Sequence, residues 1–476
     1  MSDLARRAFL RHTAGVSLAF TGLGRCWAAA ETPSLQPSAS RSPLGPLRRD
    51  PEGVLDLPEG WTYRIISRAG QEMDDGLLVP GKHDGMAAFP GPEGTTVLIR
   101  NHEISPAHET SSPFGEDLAR LSRVDRTKIY DLGRTPLGGD QPSRGGCTRL
   151  IYDTTQGQLR SHHLALAGTE YNCAGGPTPR GTWISCEETT VGPTHGLPWR
   201  RRHGYCFEVP ADPATGLVTP EPITTMGRFR HEAVAVNPDT GIVYMSEDIG
   251  DGCFYRYLPD DPARLREGGR VQALVMTATP SADLRDWEGE PLLKPGDRCP
   301  VHWVDLEDVD REDDSLRYEA FDAGAARFAR GEGMWHGNNE VFLACTTGGR
   351  ARAGQLWRYR PAPPEIEGTT LEHTQPATLE LFLQPDDPSV IENADNMCQS
   401  PNGDLVVCED GKGEQFLLGV TPQGTVYPIA RNAISRGEFA GCCWSPDAST
   451  LFVNIQTPGL TLAIQPPPSN PLVTSG

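Results

Sequence analysis

The chain has 476 residues, with 43 Lys and Arg against 63 Asp and Glu and a formal net charge of −20. So acidic a surface is a poor partner for nucleic acid or for an anionic membrane, and an anionic substrate would need a local cationic site. With 37% hydrophobic residues, 52 Gly and 43 Pro, the composition suits many short strands joined by turns.

Residues 1–30 read as a twin-arginine signal peptide. Arg6-Arg7-Ala8-Phe9-Leu10-Arg11 is followed by an apolar run from Ala14 to Leu23 and by a small-residue site, Ala28-Ala29-Ala30. The run is too short to span a bilayer, and Cys26 after Arg25 is a poor context for lipid attachment. The expected product is a periplasmic or secreted protein without a membrane anchor, delivered by the twin-arginine export machinery. Residues 31–55, rich in Ser, Pro and Arg, read as a flexible lead-in. A single domain is expected over 56–465, and a disordered tail over 466–476 after Pro466-Pro467-Pro468.

Within that domain one pattern recurs six times, at residues 83–103, 172–188, 230–248, 330–349, 393–411 and 439–459. Each copy starts with polar or small residues, continues as a short strand, turns through Pro, Gly or Asn, and returns as a more apolar strand. Most copies finish on acids or amides. In RHEAVAVNPDTGIVYMSED, for instance, the apolar run Ala233–Val236 turns through Asn237, Pro238, Asp239 and Gly241 and comes back through Ile242–Met245, a β-hairpin signal.

Repeated strand units with turn punctuation predict an all-β fold, a six-bladed β-propeller with long insertions at 104–145 and 259–329. The acidic run Leu306–Asp314 in the second insertion reads as a solvated loop or short helix, since it lacks the glycine spacing of a calcium-binding loop.

Radial repetition carries a chemical consequence. Equivalent strand starts converge on one mouth of the central channel, which would gather Asp84, Cys173, Glu232, Glu332 and Asp395 there. The acids that finish the hairpins, Glu103, Glu187, Glu188, Glu247, Asp248, Glu409 and Asp410, would join them. So many carboxylates repel one another unless cations neutralise them, and the pattern therefore predicts a metal cluster. Oxygen donors suit calcium or magnesium, whereas the Cys173 thiolate among them points to a transition metal. The structural alternative is that the acids decorate solvated strand ends. Cys186, Cys345, Cys398, Cys408, Cys442 and Cys443 fall inside apolar strands and are expected to pack as buried free thiols.

The sequence has no GxSxG elbow, no phosphate-binding P-loop, no GxGxxG after a strand and no HExxH. What remains is the acid cluster, one thiol and three arginines at hairpin starts, Arg228, Arg230 and Arg330. Metals with arginine are equipment for phosphate-ester hydrolysis, although each arginine could equally pair with a neighbouring acid.

At CAGGPTPRGTWISCEE, MGRFRHEAVAVNP, ARGEGMW, ENADNMCQSPNGDLVVCEDG and FAGCCWSPDASTLFVNIQTPG the chain resembles the PhoX-type alkaline phosphatases. Arg180 stands where that family commonly has Trp, and Gly331 where it has Pro. The resemblance implies twin-arginine export, a six-bladed propeller, and ferric iron and calcium at the channel mouth. It implies that Cys173 binds iron, that Glu232 and Glu332 are metal ligands, and that Arg330 contacts substrate. Further calcium ligands are implied among Glu187, Glu247, Asp395 and Glu409. The function implied is hydrolysis of small-molecule phosphate monoesters in the periplasm through a metal-bound oxygen nucleophile, an oxo or hydroxide, with Arg330 stabilising charge on the phosphoryl oxygens and the chain acting as a monomer. Two other readings stand beside it: a calcium-dependent lactonase on a similar propeller, and a non-catalytic calcium-binding propeller.

Overall fold

The hairpin at 231–247 shows how the repeated unit is built. His231–Val236 and Val243–Glu247 pair antiparallel, with Val234 opposite Met245 and Val236 opposite Val243. Between them the Asn237 side chain accepts the Asp239 amide at 3.0 Å. Gly241, at φ +72°, turns the chain back with its N–H on the Asn237 carbonyl. Every residue of both strands is buried, because the sheet is covered on both faces.

The computed structural model describes residues 42–105, 111–468 and 470–473, so the expected leader lies outside the described residues. The other five hairpins recur within them. His83–Pro90 pairs with Thr96–His102, Asn172–Pro177 with Thr182–Glu187, and Gly331–Gly337 with Glu340–Cys345. Ala394–Gln399 pairs with Leu405–Glu409, and Phe439–Trp444 with Leu451–Ile455.

The first strands of the six hairpins neighbour one another in chain order around a closed cycle, the Phe439 strand returning to the His83 strand. Further strands add outward by hydrogen bonding. The His83 and Phe439 strands each begin a four-stranded sheet, Asn172 a three-stranded one and Ala394 a six-stranded one. The His231 and Gly331 strands lie at opposite ends of one nine-stranded sheet, joined in its middle by Arg298–Asp305. The architecture is all-β and propeller-like. Thr62–Arg68 completes the last sheet beside Leu460–Gln465, with Leu460 opposite Arg68, so backbone hydrogen bonds between the two ends of the fold close the cycle. No helix among the described residues is long and apolar enough to cross a membrane.

Three expectations are corrected. The described part of the supposed flexible lead-in is paired: Leu47–Arg48 lies against Leu55–Pro58, which adds to Val426–Asn432. Asp50 pins it by accepting the Val54 amide and the Tyr63 hydroxyl at 2.7 and 2.6 Å. The described part of the tail is packed, with Leu472 fully buried and its carbonyl accepting the Asn402 amide. The 259–329 insertion supplies two sheet strands, Gly269–Met276 and Arg298–Asp305. Leu55–Pro58, the tail and Arg298–Asp305 each find a partner far along the chain, which local composition does not report.

Candidate metal centre

All six inner strands slip register at the same place. His83 faces His102 and Met86 faces Arg100, so two residues, Asp84 and Gly85, oppose one on the partner strand. The same two-against-one bulge isolates Cys173-Ala174, Glu232-Ala233, Glu332-Gly333, Asp395-Asn396 and Gly441-Cys442. A bulge frees side chains from the ladder and re-aims them. In five of the six, the first freed residue is a metal-ligating type. The second is small where neighbouring strands approach most closely: a Cβ on Gly333 would come within 2.5 Å of the Asp395 carbonyl oxygen. Four of these strands are reached through a left-handed residue, Lys82, Tyr171, Arg330 or Asn393, a strained backbone that marks a functional region in many proteins.

The freed donors meet in three groups whose ligand atoms lie within 4.8 Å of one another: Cys173 with Glu188 and Glu232, Glu232 with Glu332 and Asp395, and Asp84 with Glu103 and Glu438. Glu232 belongs to two of them. Gln456 links the third group by donating to Asp84 at 2.8 Å and Glu103 at 2.9 Å, and Lys82 donates to Gln456 at 2.6 Å. The Cys173 thiol points at Asp84, 3.7 Å away. Of the residues expected from sequence, Cys173, Glu232, Glu332 and Asp395 are thus brought together.

Glu187, Glu247 and Glu409 are not. Each is the last paired residue of its strand and turns back into its own sheet. Glu187 accepts the amides of Glu170, Gly204 and Tyr205 and bonds His203 Nδ1 at 2.6 Å. Glu247 accepts the Cys253 amide and the Tyr255 hydroxyl, and Glu409 the amides of Glu392 and Phe416. Successive strand residues point to opposite sides, so it is the following acid, Glu188, Asp248 or Asp410, that reaches the mouth. Glu438 was missed altogether, since it precedes a hairpin whose own bulge carries glycine. The signal that could have found it is an acid just before the sixth strand.

The arginines also divide. Arg228 is buried and spends its guanidinium on backbone carbonyls of His203, Thr190, Arg311 and Glu312, which makes it a structural tie. Arg230 lies 3.5 Å from Asp314. Arg330 reaches the mouth, forked on Asp248 at 2.8 and 2.7 Å and 2.8 Å from Glu332. The electrostatics explain what this leaves over. Burial, then the neighbouring acids, pushes Asp84, Glu188, Glu232, Glu332 and Glu438 well above the usual carboxylate range, and Asp395 to about 8. Burial, then Asp84, Glu232 and Glu188, likewise pushes the Cys173 thiol up. Arg330 and Lys82 cannot neutralise so many groups.

Glu232 decides whether these residues suit a metal. It is completely buried, and neither carboxylate oxygen has a hydrogen-bond partner. Leaving such a group without a donor costs several kcal/mol, and cations held by the two donor groups that share Glu232 would satisfy its oxygens. The thiol group suits a transition metal, and the two all-oxygen groups suit hard cations.

The family model for alkaline phosphatase PhoX matches residues 42–459. The chain belongs to the PhoX alkaline phosphatase family. Among solved structures this PhoX-family chain is similar to Pseudomonas fluorescens PhoX in complex with vanadate, a transition state analogue. The identity is 18%, the TM-score 0.62, and the match covers 87% of this chain and 96% of that one, a likeness of fold. A gluconolactonase from Xanthomonas campestris matches at 12% identity and TM-score 0.39, over 90% of this chain and 99% of the other. A search of curated protein sequences finds no match. The protein is a phosphatase, and its acidic and thiol clusters can bind the metals of a metal-dependent one.

Proposed function

We propose that the protein hydrolyses phosphate monoesters with iron held by Cys173, Glu188 and Glu232 and calcium held by the two all-oxygen groups. We also read the six hairpins as six blades, and the product as a periplasmic or secreted enzyme exported through its twin-arginine leader. The observation that carries the reading is Glu232, a buried carboxylate without a partner that is shared between a thiol-containing and an all-oxygen donor group. When bound, the metals polarise phosphoryl oxygens and lower the pKa of a coordinated water.

The chain's own contribution is charge and position. Asp248 grips two nitrogens of Arg330 and thereby fixes the plane of the guanidinium, which is about a third exposed at the mouth. Its remaining N–H groups can donate to the non-bridging phosphoryl oxygens as negative charge redistributes over them. Overall, water supplies oxygen to phosphorus, the ester P–O bond breaks, and the leaving alkoxide takes the water's proton. No side-chain nucleophile is required.

The test is metal analysis of the purified protein alongside its visible spectrum and its activity on 4-nitrophenyl phosphate. Iron, calcium and a sulfur-to-iron absorption band that disappears in Cys173→Ser together with activity is the expected result. An active, colourless enzyme containing calcium alone would overturn the iron assignment.

A further inference from the structure

Beside the mouth, the 277–297 segment builds a platform that the hydrolytic reading does not use. Trp287 donates its indole N–H to the Thr347 carbonyl at 2.7 Å, and its ring edge lies so close to Gly250 that an added Cβ would come within 3.3 Å of it. Gly250 and Thr347 belong to the loops that hold Arg330: the Arg330 amide donates to Ile249, and its carbonyl accepts from Thr346. Arg285 ties the platform down, donating to the Gly250 carbonyl at 3.1 Å while paired with Asp283. Over the Trp287 ring, 3.9 Å from its centre, sits the guanidinium of Arg352.

Arg352 differs from its neighbours. Arg285 and Arg350 each face an aspartate, Asp283 and Asp286, and Arg330 faces two acids, whereas Arg352 is exposed and makes no ion pair among the described residues. Its backbone is held in a left-handed conformation at φ +55°. Its carbonyl is clamped by the Asn393 side chain, which also binds the Thr346 carbonyl and lies two residues before Asp395. In so acidic a chain, a cation held at the rim by an aromatic ring and a clamped backbone, with its charge unspent, is a site for an anion.

We propose that Arg352, backed by Trp287, binds a second phosphate carried on the alcohol part of the ester, so that bisphosphorylated small molecules are preferred over monophosphates. This rests on the phosphatase reading. In the reaction, water gives its oxygen to one phosphorus and its proton to the departing alkoxide, while the other phosphate stays on the alcohol and holds it at the rim. Trp287 acts as a positioning residue, by orienting Arg352.

The experiment compares kcat/KM for fructose 1,6-bisphosphate and fructose 6-phosphate in the metal-loaded wild type, Arg352→Ala, Arg352→Lys and Trp287→Phe. Removing one charge contact of this kind is expected to lower the bisphosphate-to-monophosphate ratio about tenfold in Arg352→Ala. The loss should fall mainly on KM, Lys should restore part of it, and the wild-type preference should weaken as salt rises. Trp287→Phe should shift the ratio in the same direction by less. A ratio unchanged in Arg352→Ala, with both esters still hydrolysed, overturns this inference and leaves the phosphatase reading standing. A metal-replete wild type that cleaves neither ester overturns both.

Discussion

Two clusters of acids in this molecule meet opposite fates. At the outer edge of the fold, in the middle of the nine-stranded sheet, Glu380 accepts from Arg298, Arg358 and Arg360 at 2.6, 2.7 and 2.8 Å, and Arg360 also reaches Glu340. Burial raises the Glu380 pKa, but the three arginines outweigh it and bring it down to about 2. At the mouth the same residue types face one another, and burial plus mutual repulsion drives them the other way. The edge is balanced by cross-strand partners, since Arg298 and Arg358 both stand opposite Glu380 in register. The mouth, fed by bulges that release side chains from register, is left in need of cations from outside the chain. Acid count alone therefore says nothing about metal binding; the sign of the neighbours does.

The largest effect should come from removing the carboxylate that has no partner. Glu232→Gln keeps the shape but loses the charge shared by two donor groups, and turnover should fall on the order of a thousandfold or more. Metal-to-protein ratio and kcat measured on one preparation check this, and a metal-replete, active variant would refute the assignment. Stripping the metals with a chelator comes next. A ligand that binds only the folded state stabilises it by about 4 kcal/mol when a thousandfold above its Kd, so the melting temperature should fall by several degrees and recover on adding calcium and iron back. Melting that ignores the chelator would mean the mouth is balanced internally, like the edge.

Arg330→Ala should lower kcat roughly a hundredfold, about 3 kcal/mol of transition-state stabilisation, with metal content near wild type. Early loss of metal and folding would instead make Arg330 a counterion only. A paired comparison then isolates the two kinds of acid side by side at one strand end. Glu187→Gln, which disturbs buried bonds to His203 and three amides, should cost about 2–3 kcal/mol in denaturant unfolding without changing metal stoichiometry. Glu188→Gln should do the reverse, and identical behaviour of the two would contradict the alternation.

The smallest effect belongs to the edge. Because the Glu380 pKa is lowered on folding, from 4.5 to about 2, its contribution is fully present above about pH 4.5 and is lost as pH falls toward about 2. Glu380→Gln should therefore cost about 1–2 kcal/mol at neutral pH, and the gap from wild type in acid unfolding should close over that window. A gap independent of pH would place its origin in packing.

The repeated hairpins and five of the donors were legible in the chain itself. Asp84, Cys173, Glu232, Glu332 and Asp395 stand at the same point of a recurring strand-turn-strand pattern, and that pattern is set by local physics: turn residues and short apolar runs. Radial repetition then carries like positions to like places. What only the tertiary structure decided is which of two adjacent acids faces the mouth. Glu187 and Glu188, Glu247 and Asp248, and Glu409 and Asp410 are interchangeable as composition, and their sides follow from where strand pairing ends. The tertiary structure also decided the roles of Glu438, Arg228 and Arg352, whose surroundings are built by segments tens to hundreds of residues away, and the pairing of the lead-in and tail. Side-chain direction at a strand end and contacts made across the closure of a sheet cycle depend on register and on distant partners, and neither is written in a local window of sequence.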